Sequence, residues 1–149
     1  MTEEQWAFDT LNGDLDLKAA IGGIERSRQY AGPDGPKVFH RSAFQDEAYP
    51  LVVFGFRDED RFGHLGGTET IRRRTLDLTV YSFEDDKLAD AVKAVKRLFD
   101  NKAGVFGDLR VRQSFPEERV SDVIEPATAN ETPLLFERLS WSVWLIGGS

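Results

Sequence analysis

The hydrophobic pattern of this chain changes period once, in the middle. Over residues 68–83, Arg72, Arg74, Leu76, Leu78 and Val80 fall on one side and Arg73, Thr75, Asp77, Thr79 and Tyr81 on the other. That alternation is the period of two of a half-buried strand. From Leu88 the apolar positions become Leu88, Val92, Val95 and Phe99, a single stripe of a helix over residues 84–100. Ser82 and Asp85 are placed to cap this helix. Glu84, Asp85 and Asp86 suit the positive end of its dipole.

Upstream, Thr2-Glu3-Glu4-Gln5 has the capping-box pattern and introduces Trp6, Ala7, Thr10 and Leu11 at helical spacing. Asn12-Gly13 interrupts that helix, and residues 14–21 read as a second short piece stopped by Gly22-Gly23. Residues 24–30 read as a strand, AGPDGP at 31–36 as turns, and 37–48 as irregular. Residues 51–57 form a strand rich in valine and phenylalanine, apolar on both faces and so central in a sheet. DEDRFGHLGG, residues 58–67, reads as a polar connector to the next strand, which makes the two an antiparallel hairpin. Downstream, residues 109–115 alternate, Pro116 breaks the strand, 120–124 resume it, 126–132 form a loop, and 134–146 are a last long strand.

The order predicts one α+β domain over residues 1–149. Its antiparallel or mixed sheet carries a long projecting hairpin and is packed by an N-terminal helix and one central amphipathic helix. Sixteen residues of strand span on the order of 50 Å, against a radius of gyration of about 15 Å for a domain of this size. The outer half, residues 68–74, is polar on both faces and is expected to leave the body. Trp141 shares a face with Leu135, Leu139, Val143 and Leu145 and is expected in the core. Trp144 falls on the opposite face, and Trp6 anchors the first helix.

The chain has 149 residues, 40% hydrophobic and 30% charged, a globular balance. It has no apolar run near the ~20 residues a membrane helix needs. MTEEQWAFDT lacks the basic-then-apolar order of a signal peptide. Cysteine is absent, which excludes disulfides, thiolate metal sites and thiol nucleophiles. A net charge of −7 argues against tightly held nucleic acid. The basic run Arg72-Arg73-Arg74 alternates across a strand and makes no continuous phosphate track; charge pairing within or between subunits is its expected role.

No constellation for catalysis emerges. Gly63, Gly66 and Gly67 lead into a strand without a Lys-Ser/Thr ending, unlike a phosphate loop. His64 lies near Asp58, Glu59 and Asp60, but neither it nor His40 has a histidine partner at helical spacing for a metal. Glu84-Asp85-Asp86 is accounted for by the helix end, and Glu117-Glu118 follows a proline in a turn; neither accompanies a nucleophile. Ser140-Trp141-Ser142 sits inside a strand, without the strand–turn–helix setting of a nucleophile elbow. No cofactor is expected.

The helix ending in Ala20-Ile21-Gly22-Gly23, the run Tyr49-Pro50-Leu51-Val52-Val53-Phe54-Gly55, the glycine-rich tip, LDLTVYSFEDDKLADAVKAVKRLF and the closing FERLSWSVWLIGG follow a familiar order. From about Leu11 to Ile146 the chain resembles the tail-completion, or tail-terminator, proteins of long-tailed bacteriophages and gene-transfer particles. The resemblance implies an α+β fold, no enzymatic activity, and a six-membered ring that caps the tail tube and joins it to the head–tail connector. The implied partners are copies of itself, the tail tube protein and the connector protein. It further implies that DNA passes through the lumen without specific binding, that no membrane is involved, and that the location is the particle's neck, assembled in the host cytoplasm. The Arg72–Arg74 run and the lead Asp58-Glu59-Asp60 are more highly charged than the family's common pattern. Head–tail connector proteins are related and also form rings, and a small ligand-binding or enzymatic domain is a further alternative.

A ring needs one surface to meet a different surface on the next copy. The expected contact residues are Asp58, Glu59, Asp60, Arg61, Phe62, His64 and Leu65 at the hairpin tip and Arg72, Arg73 and Arg74 on its second arm. Glu117 and Glu118 are a second source of carboxylates, and Trp144 is an apolar contact. The three arginines are expected to be little buried in the free chain and to find their carboxylates on a neighbour.

Overall fold

The computed structural model describes residues 2–21, 38–40, 50–63, 70–124 and 132–146. The elements run α1 (Glu3–Asn12), α2 (Leu15–Ile21), β1 (Val38–His40), β2 (Leu51–Phe62), β3 (Ile71–Ser82), α3 (Asp85–Phe99), β4 (Gly104–Phe106), β5 (Leu109–Ile124) and β6 (Leu134–Ile146). The strands make one mixed sheet in the order β1-β2-β3-β6-β5-β4, antiparallel except where β1 joins β2. The fold is α+β, with a long β2–β3 hairpin, an N-terminal helix and a central helix as expected. The strand expected over residues 24–30 and the turn at 31–36 lie outside the described residues.

Local chemistry explains where the helices begin and stop. Thr2 Oγ1 accepts from the Gln5 amide at 3.1 Å and caps α1. Gly13 closes the same helix, its amide bonding the Asp9 carbonyl at 2.9 Å, where a side chain's Cβ would itself lie 2.9 Å from that oxygen. Asp14 caps α2 through the Leu17 amide. Before α3, Ser82 Oγ both accepts from the Glu84 amide and donates to its carbonyl, so it shapes the entry turn. Asp85 is the first helical residue and not the cap. At the exit, Ser114 of β5 is fully buried, takes the Lys102 amide at 2.9 Å and donates to the Phe99 carbonyl.

The core lies between the helices and one face of the sheet. Val92, Val95 and Phe99 of α3 are buried as the stripe predicts, joined by Ala91 and Ala94, while Leu88 is half-buried at the margin. They meet Phe54, Leu76, Leu78, Val80, Leu139, Trp141 and Val143. Trp141 packs tilted on Phe99 at 5.4 Å between ring centres, and its indole N–H donates to Asp100 at 2.7 Å. Trp6 stands edge-on to Phe99 and ties α1 to α3.

Three boundaries differ from the expected ones. Residues 58–62 continue β2, although their composition reads as a connector, because the last three find cross-strand places beside β3: Asp60 opposite Arg73, Arg61 opposite Arg72, Phe62 opposite Ile71. A bulge between Arg57 and Asp60, with Asp58 at φ 58°, takes up one extra residue of β2 and shifts the register there. Pro116 does not end β5; a second bulge between Pro116 and Glu118 absorbs it on the open side of the strand. Val38–His40, inside the stretch expected to be irregular, pairs with Val52–Phe54.

Replacing Val92 with aspartate places an unpaired carboxylate at a side chain only 3% exposed. The expected outcome is a loss of several kcal/mol and of the cooperative thermal transition. A melting temperature equal to the parent's would show that this face of α3 is not the buried one.

Candidate functional site

β3 carries its alternation through the arginine run. Arg72 and Arg74 therefore stand on the core face with Leu76, Leu78 and Val80, and Arg73 stands on the other. β6 accompanies β3 along its whole length, from Leu135 opposite Ser82 to Ile146 opposite Ile71. The outer half, expected to leave the body, is instead braced on both sides by strands and covered on its core face by the start of α1. The expectation that the arginines are little buried is wrong for Arg72, which is 2% exposed, and only partly right for Arg73 and Arg74, which are intermediate.

Burial of a guanidinium demands partners, and the chain supplies them internally. Arg72 Nη1 lies 3.2 Å from Glu3 Oε1 and 2.9 Å from Glu59 Oε1. Arg74 Nη1 lies 2.9 Å from the same Glu3 oxygen and 3.0 Å from Glu4 Oε1, while its Nε donates to the Asp58 carbonyl at 3.1 Å. Burial acts to raise the pKa of Glu3, but the Arg74 hydrogen bond and the Arg72 charge overcome it and hold this carboxyl below its ordinary value. The hydrogen bond from Arg72 likewise lowers Glu59. For Arg74, desolvation opposes the charge, yet Glu3 and Glu4 hold its pKa above the usual value.

A cleft of about 530 Å³ opens beside this cluster, between Thr2, Glu3 and Glu4 of the first helical turn, Glu59, Arg72 and Arg74 of the hairpin, and Asp108, Leu109, Arg110 and Ile146. Its charges are nearly balanced, three arginines against four carboxylates, so it lacks the net cation that an anionic ligand needs. Its carboxylates serve as ion-pair acceptors. Among the described residues no group of histidine, aspartate and glutamate could hold a metal ion, and no helix is long and apolar enough to cross a membrane.

On the opposite face, Arg73 pairs with Asp60 and lies over the rings of Phe62 and Trp144, 5.9 and 5.5 Å from their centres. Phe62 and Trp144 stack at 5.5 Å, with Phe62 41% exposed. Arg61 approaches Glu59 at 3.6 Å, and Asp58 pairs with Arg57 at 3.0 Å. The structure therefore brings together Asp58, Glu59, Asp60, Arg61, Phe62, Arg72, Arg73, Arg74 and Trp144. Glu117 and Glu118 are set apart on β5, near Lys96, Asp100 and Trp141. His64 and Leu65 lie outside the described residues.

Sequence reasoning missed Glu3 and Glu4 as the arginines' partners, because their placement in a capping pattern already accounted for them. It also missed a second buried carboxylate, Glu137, which is 4% exposed and held by Arg119 and by Ser121 at 2.8 Å. The only signal for it was a glutamate on the core face of the last strand.

No family model matches the chain, and no curated protein does. Among solved structures, a chain from the virion of a native gene transfer agent particle is similar at a TM-score of 0.61 and 14% identity. The match covers 94% of this chain and 91% of that one, so the two share a fold over nearly their whole lengths.

The three arginines should separate by mutation. Arg72→Ala leaves Glu3 buried with one partner fewer and is expected to cost roughly 3 kcal/mol, a melting shift of about 6–12 °C at this size. Arg73→Ser removes an exposed pair and a cation–ring contact and should cost about 1 kcal/mol. Equal shifts for the two variants would contradict the difference in burial. Because Glu3 and Glu59 are lowered below 4.5, their stabilisation is present above that value and lost as pH falls through their folded-state pKa. Denaturant titrations of Glu3→Gln should show a weaker loss of stability between about pH 5 and pH 3 than the parent; identical pH profiles would remove Glu3 from the account.

Proposed function

We propose that this chain is a structural, non-enzymatic component of a phage-like particle, and that within it the chain forms a ring closing the tail tube and joining it to the head connector. The observation that carries the first part is the fold shared over nearly the whole length with a chain of a gene transfer agent virion. The ring and the neck position rest on the resemblance of the strand–helix order to tail-terminator proteins. Copies of the chain, the tube protein and the connector protein are the partners in this reading, and a six-membered ring is the assembly. DNA passes without specific binding, which suits a chain of net charge −7.

The geometry supplies a physical reason for a rigid hairpin in such a ring. Arg72 and Arg74 lock both arms of the hairpin to α1, so its outer face is presented with little conformational freedom. Contacts made by a preformed surface cost less ordering entropy than those made by a flexible loop. Arg73, Asp60, Phe62 and Trp144 form that surface, combining aromatic area with a charge pair. Such a composition is common at interface centres.

Light scattering over a range of concentrations and electron microscopy with and without purified tail tubes test the proposal. The expected result is a ring of about six times the 16.8 kDa chain mass, formed at high concentration or on tube ends. Arg73→Ser together with Trp144→Ala should weaken that assembly while the monomer still melts cooperatively. A monomer at every concentration that also fails to bind tubes overturns the ring. Rings that bind the connector but not tubes place the chain elsewhere in the neck.

A further inference from the structure

At the far end of the sheet the strands outrun their helical cover. A groove of about 450 Å³ lies between Asp85, Leu88 and Ala89 of α3 and the tip of the β5–β6 hairpin, where Ser121, Val123 and Leu135 form its floor. The Arg119–Glu137 pair closes one end. Asp85, Asp122 and Glu137 line it against the single cation Arg119, so the groove is apolar at its base and acidic overall.

Among the described residues, the same stretch of β5 is an open strand edge. β4 covers only Leu109–Val111, and no other described strand lies outside β5. Between Val111 and Glu118 two bulges and Pro116 guard that edge against added strands. Val120–Ile124 has no bulge, proline or glycine, and Val123 and Ile124 are 37% and 47% exposed. The Val123 amide donates to Oδ1 of its neighbour Asp122 at 2.7 Å, which turns it toward the open side, away from β6. On the opposite side of the sheet, β2 beyond Phe54 is guarded by its own bulge and by Asp58 at φ 58°.

We propose that residues 120–124 accept an extended segment of a different protein as an added strand. Alternate apolar side chains of that segment enter the groove beside Leu88, Val123 and Leu135, and the basic ones, on the other face of the added strand, meet Asp122. An open backbone edge and a side-chain groove on the same flank are the two halves of strand-addition recognition. The occupant is basic because the lining is acidic. The chain's own acidic run Asp58-Glu59-Asp60 does not match an acidic lining, which favours a basic segment of another protein over that part of a second copy. This site is independent of ring formation.

The test uses a fluorescent nine-residue peptide alternating valine and lysine, and a second alternating valine and glutamate, with the full chain. Fluorescence anisotropy should show the lysine peptide binding at least tenfold more tightly, and hydrogen exchange should slow at residues 120–124. Val123→Pro removes the outward amide and should weaken binding at least tenfold with little change in melting temperature. Ala89→Trp, at an exposed helix position, fills the groove and should do the same should the proline variant fail to fold. Equal binding of both peptides, protection elsewhere, or unchanged binding by the tryptophan variant overturns the proposal. Exchange protection at 120–124 that grows with protein concentration and without peptide overturns it in favour of a second copy as occupant.

Discussion

A twelve-residue strand that keeps one face toward a core must have that face covered along its entire length, and much of this fold follows from how β3 meets that demand. Its inner half carries Leu76, Leu78 and Val80, which α3 covers with an apolar stripe. Its outer half carries Arg72 and Arg74, which no apolar surface can cover without a large desolvation cost. The cover there is instead the first turn of α1, whose Glu3 and Glu4 reach the guanidinium groups, with Glu59 arriving from β2. Two of these carboxylates also sit where the helix dipole favours negative charge. One strand is thus packed by two different physics on the same face, and α1 and α3 are joined where they meet, through Trp6 and Phe99.

The periodic elements were legible for a plain reason: each has an apolar face that repeats. The α3 stripe, the position of Trp141 and the span of β6 follow from spacing alone. What spacing could not reveal was any contact in which charge takes the place of apolar burial. Residues 58–62 have a loop's composition, yet they continue the strand, with Asp60 opposite Arg73 and Phe62 opposite Ile71; a periodicity that counts only apolar positions misses the charged pair. Pro116 looked like a terminator because proline lacks an amide, but that matters only on the paired side of a strand.

The candidate site was legible in membership more than in role. Nine of the expected contact residues do gather around one hairpin, but the charges among them are largely spent within the chain. The partners Glu3 and Glu4 lie about seventy positions away from Arg72 and Arg74. Their sequence context is a complete helix start in itself, so nothing local calls for a second function. A residue that satisfies two requirements at once is the hardest kind to read from one dimension.

An internal ion network also changes what the hairpin could contribute to the proposed ring. Had the arginines been free, association would have had to desolvate three guanidinium groups and order their side chains at the moment of contact. With Arg72 buried, Arg74 half-buried and both already paired, much of that cost is met during folding, and the exposed face is left with aromatic area and one charge pair over it. Interfaces gain affinity mainly from well-packed aromatic and arginine anchors, and charges at the rim influence orientation and rate more than strength. If the proposed ring forms through this face, salt should affect how quickly copies find it, and truncating Phe62 or Trp144 should shorten how long they stay.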